Sequence, residues 1–511
     1  MRHRNKKHSN KKHSNKKHSN KKHSNKKHSN KKHSNKKHSN TKHRKISQEH
    51  GGSAVDAGSY GCVFSPALKC AKNSTNPYNK DNISKLMFNN HADAEMVEMK
   101  KVERIIKNIP NNSDYFLVAD TNECKPAPLD SNDLENFDSV CNLFTDPHYG
   151  EPITSSNINT NLDKLSIINM ANGGIGIDEF YKKMYSTSNA KERHSLFEFI
   201  NLALIKLLKY GIVPLNNLHF NHFDIKYDNI LLGKDNKARL IDWSLASEND
   251  GKTIPNSVRE STINFNTPVS IIFFNSFVKD SLRKSYEQIK ASALFADKKN
   301  GQNELLKIVA LNMINEAMNP PKNDSHYRII VDSILRSIYK LYVTGKSENN
   351  LINYSVLTTN VVVEYIHAVL LKYVDENGNF DDVRYFYEVF TKNADIWGFI
   401  LSYSSIVEYG PGKIHKDIIN GLCRIMLKYC FSTEFAAIPI DINLLIADLL
   451  SLNKISKSVN TPTQQTRKSF NTMRIDNGKN IIKSKSKKNK YTKQTHTDSM
   501  TPVYSNTAGL Y

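Results

Sequence analysis

Residues Asn5–Ser39 repeat the pentapeptide Asn-Lys-Lys-His-Ser seven times, with no apolar side chain in the run. Such a segment has nothing to bury and its charges repel, so it is expected to stay disordered. Solenoid repeats need about 20 residues or more per unit and an apolar face; this run has neither. Any fold must therefore come from the rest of the chain. The histidines recur every fifth residue, yet a tract of this kind fixes no coordination geometry for a metal. It reads as a polybasic tail that adsorbs onto nucleic acid or another anionic surface, or as an inert solvated tail.

The charge is unevenly placed. Of the net +22 over 511 residues, residues 1–45 hold +19 and residues 454–511 hold +10, which leaves the middle near −7. A mildly acidic body between two basic tails gives no argument for a nucleic-acid-binding fold. No stretch reaches 18 consecutive apolar residues, so no membrane span is expected, and the N-terminus has no apolar core of the signal-peptide kind. The six cysteines (Cys62, Cys70, Cys124, Cys141, Cys423 and Cys430) include no CxxC pair. That spacing argues against a disulfide scaffold or zinc ribbon and favours a reducing, intracellular setting.

Between the tails the text changes character once. From about Gly51, short β-type runs (62–64, 83–87, 116–119 and 165–170) alternate with turn-rich polar stretches. One helical pattern, 92–106, interrupts them, with Met96, Met99, Val102, Ile105 and Ile106 on one face. After Gly174 helical patterns dominate: 196–208, 302–318, 327–344, 355–373, 383–392 and 415–432. The expected class is α+β, with a small β-rich lobe over 49–171 and a larger helical lobe over 172–453. Disordered basic tails over 1–48 and 454–511 flank them.

The segment His222-Phe-Asp224-Ile-Lys226-Tyr-Asp228-Asn229 carries the densest chemistry, followed by a strand-like Arg239-Leu-Ile-Asp242-Trp243-Ser244. Asp224 can take a proton from a hydroxyl. Asn229 and Asp242 offer oxygens to a hard cation such as Mg2+, which prefers one or two carboxylates together with phosphates and water. Lys226 adds positive charge where a moving phosphoryl group would develop negative charge. Upstream, Asp56-Ala-Gly58-Ser59-Tyr60-Gly61-Cys-Val63 has glycines that let backbone amides approach phosphates, although a Gly-Ser-Tyr-Gly turn also suits an ordinary hairpin.

These segments resemble, in order and spacing, the protein kinases. The His222–Asn229 segment matches the catalytic loop His-Arg-Asp-x-Lys-x-x-Asn followed by the Asp-Phe-Gly metal turn, with steps of five and thirteen residues. The Asp56–Val63 segment is similar to the glycine-rich loop, with Asp56 in place of its first glycine. The resemblance covers roughly residues 51–270 and is nearest to the serine/threonine kinases of giant DNA viruses, which implies a viral protein acting in the host cytoplasm or the virion. It implies ATP contacts from Val55, Gly58, Ser59, Tyr60, Gly61, Val63, Lys85, Glu95, Asn169 and Ala171. It also implies catalysis by Asp224 and Lys226, and Mg2+ held by Asn229 and Asp242. Lys72 is the reserve for Lys85 and Glu98 for Glu95. Ile168 takes the gatekeeper place, with Asn169 and Ala171 offering backbone groups to adenine.

The pattern also departs from the family. Phe223 stands where the arginine before the catalytic Asp is usual, Ser244 where a glycine follows the metal Asp, and Thr267-Pro268-Val269 is the nearest match to Ala-Pro-Glu. Nothing after residue 270 resembles the family. The expected function is transfer of the γ-phosphoryl group of ATP to a protein serine or threonine. The alternatives are a pseudokinase that binds partners through its body and tails, and a small-molecule kinase of the choline or aminoglycoside type, which shares Ile-Asp-Trp.

Overall fold

Antiparallel pairing gathers the β-type runs into a five-stranded sheet ordered β1-β2-β3-β5-β4, where β1 is Ser53–Ala57, β2 Gly61–Ser65, β3 Asn82–Phe88, β4 Asn122–Cys124 and β5 Leu165–Ala171. The computed structural model describes residues 52–459, apart from 59, 72–80, 119–121, 147–149, 262, 293–300, 319–324 and 344–352. The expectations of disorder before residue 49 and beyond 459 lie outside the described residues.

Strand register decides which side chains meet. Cys62, Leu86 and Ile167 lie side by side across β2, β3 and β5 and are fully buried. With Phe64, Phe137 and Phe144 they form the core on one face of the sheet. The next row, Val63, Lys85 and Ile168, necessarily projects from the opposite face, because successive strand residues alternate. Helix α1, Asn89–Ile106, follows β3 directly and packs on β3 and β5. Its last turns carry Val102, Ile105 and Ile106 into the core of the helical remainder. The helix expected over 92–106 is therefore present and joins the two regions.

Beyond β5 the chain is mostly helical. Strand β6 (Ile175–Gly176) leads into α2 (Ile177–Ser186) and α3 (Ala190–Leu207). Asn189 caps α3, its side chain accepting from the Lys191 and Glu192 amides. Short strands β7 (Phe220–Asn221), β8 (Ile230–Leu232), β9 (Ala238–Leu240) and β10 (Ser247–Glu248) follow. Then come α4 (Ser276–Lys290), α5 (Gly301–Met318), α6 (Tyr354–Tyr373), α7 (Thr391–Leu401), α8 (Lys416–Tyr429) and α9 (Ile442–Val459), separated by shorter turns. The molecule is thus mixed α+β, a small antiparallel sheet region with a mostly helical remainder.

Three expectations need correction. Cys62 is disulfide-bonded to Cys141 and Cys70 to Cys124, with Cα separations of 5.4 and 5.7 Å. The first bridge ties the stretch after β4 back to β2 and the second ties the connection between β2 and β3 to β4, whereas Cys423 and Cys430 are free and buried. The bonded cysteines lie 79 and 54 residues apart in sequence, and tertiary packing brings them together, which spacing alone does not reveal. Residues 116–118 form no strand: Phe116 makes a single bridge to Leu240. The body also runs past residue 453, because α9 packs on α3 and α8. Asn201 Nδ2 donates to Asn453 Oδ1 at 2.9 Å, and Ser456 Oγ to the His194 carbonyl at 2.9 Å. The expectation of no membrane span needs none: among the described residues α6 alone has the length and apolar composition of a span. Nine of its residues, Val362, Ile366 and Leu370 among them, are buried in the helical core.

Candidate active site

The loop between β7 and β8 holds Asp224, 5% exposed, in a set of directed bonds. Lys226 Nζ and Asn229 Nδ2 each donate to Asp224 Oδ2 at 2.8 Å, and Asn266 Nδ2 donates to Oδ1 at 2.8 Å. A carboxylate has about four acceptor positions, so one remains on Oδ1 for an incoming hydroxyl. Asn229 uses only its amide nitrogen in these contacts, donating also to the Asp224 carbonyl at 2.9 Å. Its Oδ1 stays available as an acceptor.

Asp242 lies just beyond one end of the β8–β9 ladder, next to Ile241, which is opposite Asn229. Ile230 pairs with Leu240, and the Ile241 amide donates to the Asn229 carbonyl at 3.1 Å. Asp242 has φ of +62°, rare for a residue with a side chain, and it is exposed. Among the described residues its carboxylate accepts one hydrogen bond, at 3.4 Å from the Ser244 amide. Trp243 fixes this turn from below. It is buried, with its ring 4.8 Å from His222 and 5.6 Å from Phe116. Among the described residues no three His, Cys, Asp or Glu side chains form a metal cage. An exposed carboxylate and an amide oxygen carried by the two strands' ends suit Mg2+ arriving with phosphates, and these residue types fit that ion.

On the sheet side, Lys85 Nζ and Glu95 Oε2 form an ion pair at 2.5 Å, each side chain about one-fifth exposed. Glu95, not Glu98, is the partner; Lys72 lies outside the described residues. At Gly61 a Cβ would sit 2.9 Å from the Lys85 side chain and 2.8 Å from Met87, so any larger residue would displace those side chains. The turn before it closes through the Gly58 amide and the Gly61 carbonyl at 2.9 Å. Ser59 at its tip lies outside the described residues. Val55 and Tyr60 are exposed, the Tyr60 ring 4.9 Å from His91. Val63 and Ile168 flank Lys85 on either side in the register.

The two adenine-contact residues on β5 differ. Asn169 lies between Ser84 on β3 and Asn122 on β4, with its side chain buried. Its Oδ1 accepts from Ser84 Oγ at 2.5 Å, and its Nδ2 donates to Cys70 Sγ at 3.3 Å. With strands on both sides it does not present the free backbone edge expected of it, and this assignment is corrected. Ala171 lies beyond the end of β4 and pairs only with Asn82, so its other edge is free among the described strands.

Two further residues hold the site and escape the sequence patterns. Asn266 is one, through its bond to Asp224. Asp395, in α7, is the other. It accepts from the His222 amide at 2.9 Å, the Phe223 amide at 2.8 Å, Asn216 Nδ2 at 3.0 Å and Asn221 Nδ2 at 3.2 Å. Burial pushes its pKa up, while the nearby His222 and these donors oppose that rise. All four neighbours donate and none accepts, so the charged form is the one they suit. Gly398, one turn on, lets α7 approach closely: a Cβ there would meet the Ile225 carbonyl at 2.3 Å and the Asn266 carbonyl at 2.8 Å. Trp397 Nε1 donates to the Phe265 carbonyl at 3.1 Å.

Phe223, in place of an arginine, is buried with φ of +58° and stacks 6.2 Å from Phe390. A cavity of about 450 Å³, lined by Tyr115, Phe199, Lys206, Tyr210 and Lys237 among others, contains none of the site residues. No protein-family model matches this chain, and no curated protein is significantly similar to it.

Proposed function

We propose that the chain is an ATP-dependent serine/threonine kinase with a kinase-type two-lobed arrangement. The observation that carries the reading is the pairing, within each region, of groups singled out by the sequence pattern. Lys85 is paired with Glu95, and Asp224 is held by Lys226 and Asn229. Lys85 reaches the phosphates of ATP and Glu95 keeps it aimed. Bound Mg2+ would neutralise phosphate charge, with Asn229 and Asp242 as its holders. Asp224 orients the acceptor hydroxyl and takes its proton, while Lys226 supports the charge on the transferring group. Phosphoryl transfer needs positioning and electrostatics more than covalent chemistry from the protein, and this set supplies both.

The test is nucleotide binding by thermal shift. Mg-ATP should raise the melting temperature of the wild type, and Asp242→Asn should remove most of the Mg2+-dependent part. An unchanged Mg2+ dependence in that variant would remove Asp242 from the metal set. Transfer to choline or aminoglycosides instead of protein would favour the small-molecule reading suggested by Ile241-Asp242-Trp243.

A further inference from the structure

The turn that carries Asp242 is held at its incoming end by the β8–β9 ladder and by the Ile241 amide, which donates to the Asn229 carbonyl. Beyond the buried Trp243 its outgoing end has less. Strand β10 pairs with β7 over only two residues, Ser247 with Asn221 and Glu248 with Phe220. So short a ladder does not by itself fix how far the strand slides, and a slip of one residue would turn its side chains to the opposite face.

A pair of buried amides closes that end. Asn249 directly follows β10, and its backbone amide donates to the His219 carbonyl at 2.7 Å. Its Nδ2 donates to Asn221 Oδ1 at 2.6 Å, and the two residues are 8% and 1% exposed. Asn221 Nδ2 in turn donates to the Thr391 carbonyl at 2.7 Å and to Asp395 Oδ2 at 3.2 Å. Asp395 also receives the His222 and Phe223 amides, immediately before Asp224. The line Asn249–Asn221–Asp395 therefore runs from the strand leaving one site residue to the loop that holds the other. His222 makes a second, parallel tie. Its Nδ1 accepts from the Asp224 amide at 3.3 Å, so its Nε2 carries the proton and donates to the Ile241 carbonyl at 3.0 Å, one residue before Asp242.

Stability does not account for the amide pair. Asn249 Oδ1 is buried and accepts no hydrogen bond among the described residues, and burying a polar atom without a partner is destabilising. Two apolar side chains of similar size would fill the place without that cost. What a directed amide bond adds is one position of β10 on β7 and no other.

We propose that Asn249 is a positioning residue for phosphoryl transfer: through Asn221 it seats the strand leaving the Asp242 turn on the carboxylate that also aims Asp224. The inference rests on the kinase reading and deepens it, because it says how the Mg2+ holder and the proton acceptor are kept at one spacing. Asn249 and Asn221 are neutral, so this tie needs no phosphate on the segment after Asp242. Spacing of this kind matters to rate: a misplacement of about 1 Å can cost on the order of a hundredfold.

The experiment follows Mg2+ binding as well as transfer, on full-length protein. With ATP present, the free Mg2+ concentration giving half of the nucleotide-induced rise in melting temperature is measured. The variants are Asn249→Leu, which keeps the volume without the donor, and Asn249→Ser, whose side chain stops one atom short of the Nδ2 position. Asn201→Leu is the control, because Asn201 belongs to another buried polar cluster, bonded to Asn453 and Tyr403 and to none of the site residues. The Mg2+ midpoint should rise at least fivefold in Asn249→Leu and at least threefold in Asn249→Ser. The maximal rate of label transfer to a mixed serine/threonine peptide library should fall at least tenfold in Asn249→Leu, with half-saturation by the library within twofold. Asn201→Leu should lower the melting temperature and leave the Mg2+ midpoint within twofold. If Asn249→Leu does not fold, Asn249→Ser decides alone. Unmoved midpoints in the Asn249 variants, or an equal shift in Asn201→Leu, would overturn the proposal while transfer by the wild type left the kinase reading standing. No response to Mg-ATP and no transfer by the wild type would overturn both.

Discussion

The sheet region and the helical region hold their shares of the site in different ways. Lys85 and Glu95 are ten residues apart in sequence, about one-fifth exposed, and bonded to each other. Asp224 is buried and depends on Asn266, 42 residues away, while its loop hangs on Asp395, more than 170 residues away. The Lys85–Glu95 pair is thus built by strand register and neighbouring sequence, and disulfides brace the sheet that carries it. The surroundings of Asp224 depend on the helical region, through Asn266 and through α7. If the proposed function holds, a local pair can re-form after a nucleotide enters, whereas a carboxylate set by distant contacts is positioned beforehand, as acid–base chemistry requires.

This contrast can be broken experimentally. The largest expected effect is from Asp395→Ala, which leaves two backbone amides and two side-chain amides without an acceptor in a buried place. Losing such a hub should cost about 3–5 kcal/mol of stability, read by urea unfolding, and should abolish transfer. A variant as stable as the wild type would mean that the loop does not hang on α7. Next come the bridges. Replacing Cys62 and Cys141 by Ser should cost about 2–4 kcal/mol, and the same change at Cys70 and Cys124 a similar amount. The loss should appear first as faster amide exchange in β1–β5, with α7 and α8 protected; uniform loss across both regions would erase the distinction between them.

The smallest effect concerns the segment from Asp242 to Pro268. Ile254, Val258, Ile263 and Phe265 bury it. Arg259 lies 3.6 Å from Asp382, and Tyr387 donates to Asp250 at 2.9 Å. With Phe223 unable to pair with a phosphate, these contacts already order the segment. Replacing Ser257, Ser261 and Thr262 by Ala should therefore leave transfer within about twofold, and phosphatase treatment should do the same. Activity that vanished with phosphatase and returned on rephosphorylation would show the segment to be a switch.

What is legible in the sequence follows the same line. The strands over 62–64, 83–87 and 165–170, the helix over 92–106 and the loop from Asp224 to Asn229 are local patterns, and each appears within a few residues of its expected place. Lys85 and Glu95 are also reachable, because a strand that leads directly into a helix leaves few partners for the lysine. Asn266 is not, since nothing near it in sequence marks it as a neighbour of Asp224. Asp395 does carry a signal: a single carboxylate in Ala394-Asp-Ile-Trp-Gly-Phe-Ile-Leu401, an otherwise apolar run. Buried charges of that kind are rare unless paired, so its position alone demands a partner. The disulfides and the extension of α9 to Val459 are hidden because both depend on long-range packing.

The central claim is that Asp224 accepts the proton of a hydroxyl to which ATP gives its γ-phosphoryl group. The most direct measurement is transfer of label from γ-labelled ATP to protein by the wild type beside Asp224→Asn, with Mg-ATP affinity measured on both. The account predicts transfer by the wild type, a loss of at least a thousandfold in the variant, and affinities within a few-fold of each other. Transfer by both proteins at similar rates, or by neither, would contradict it.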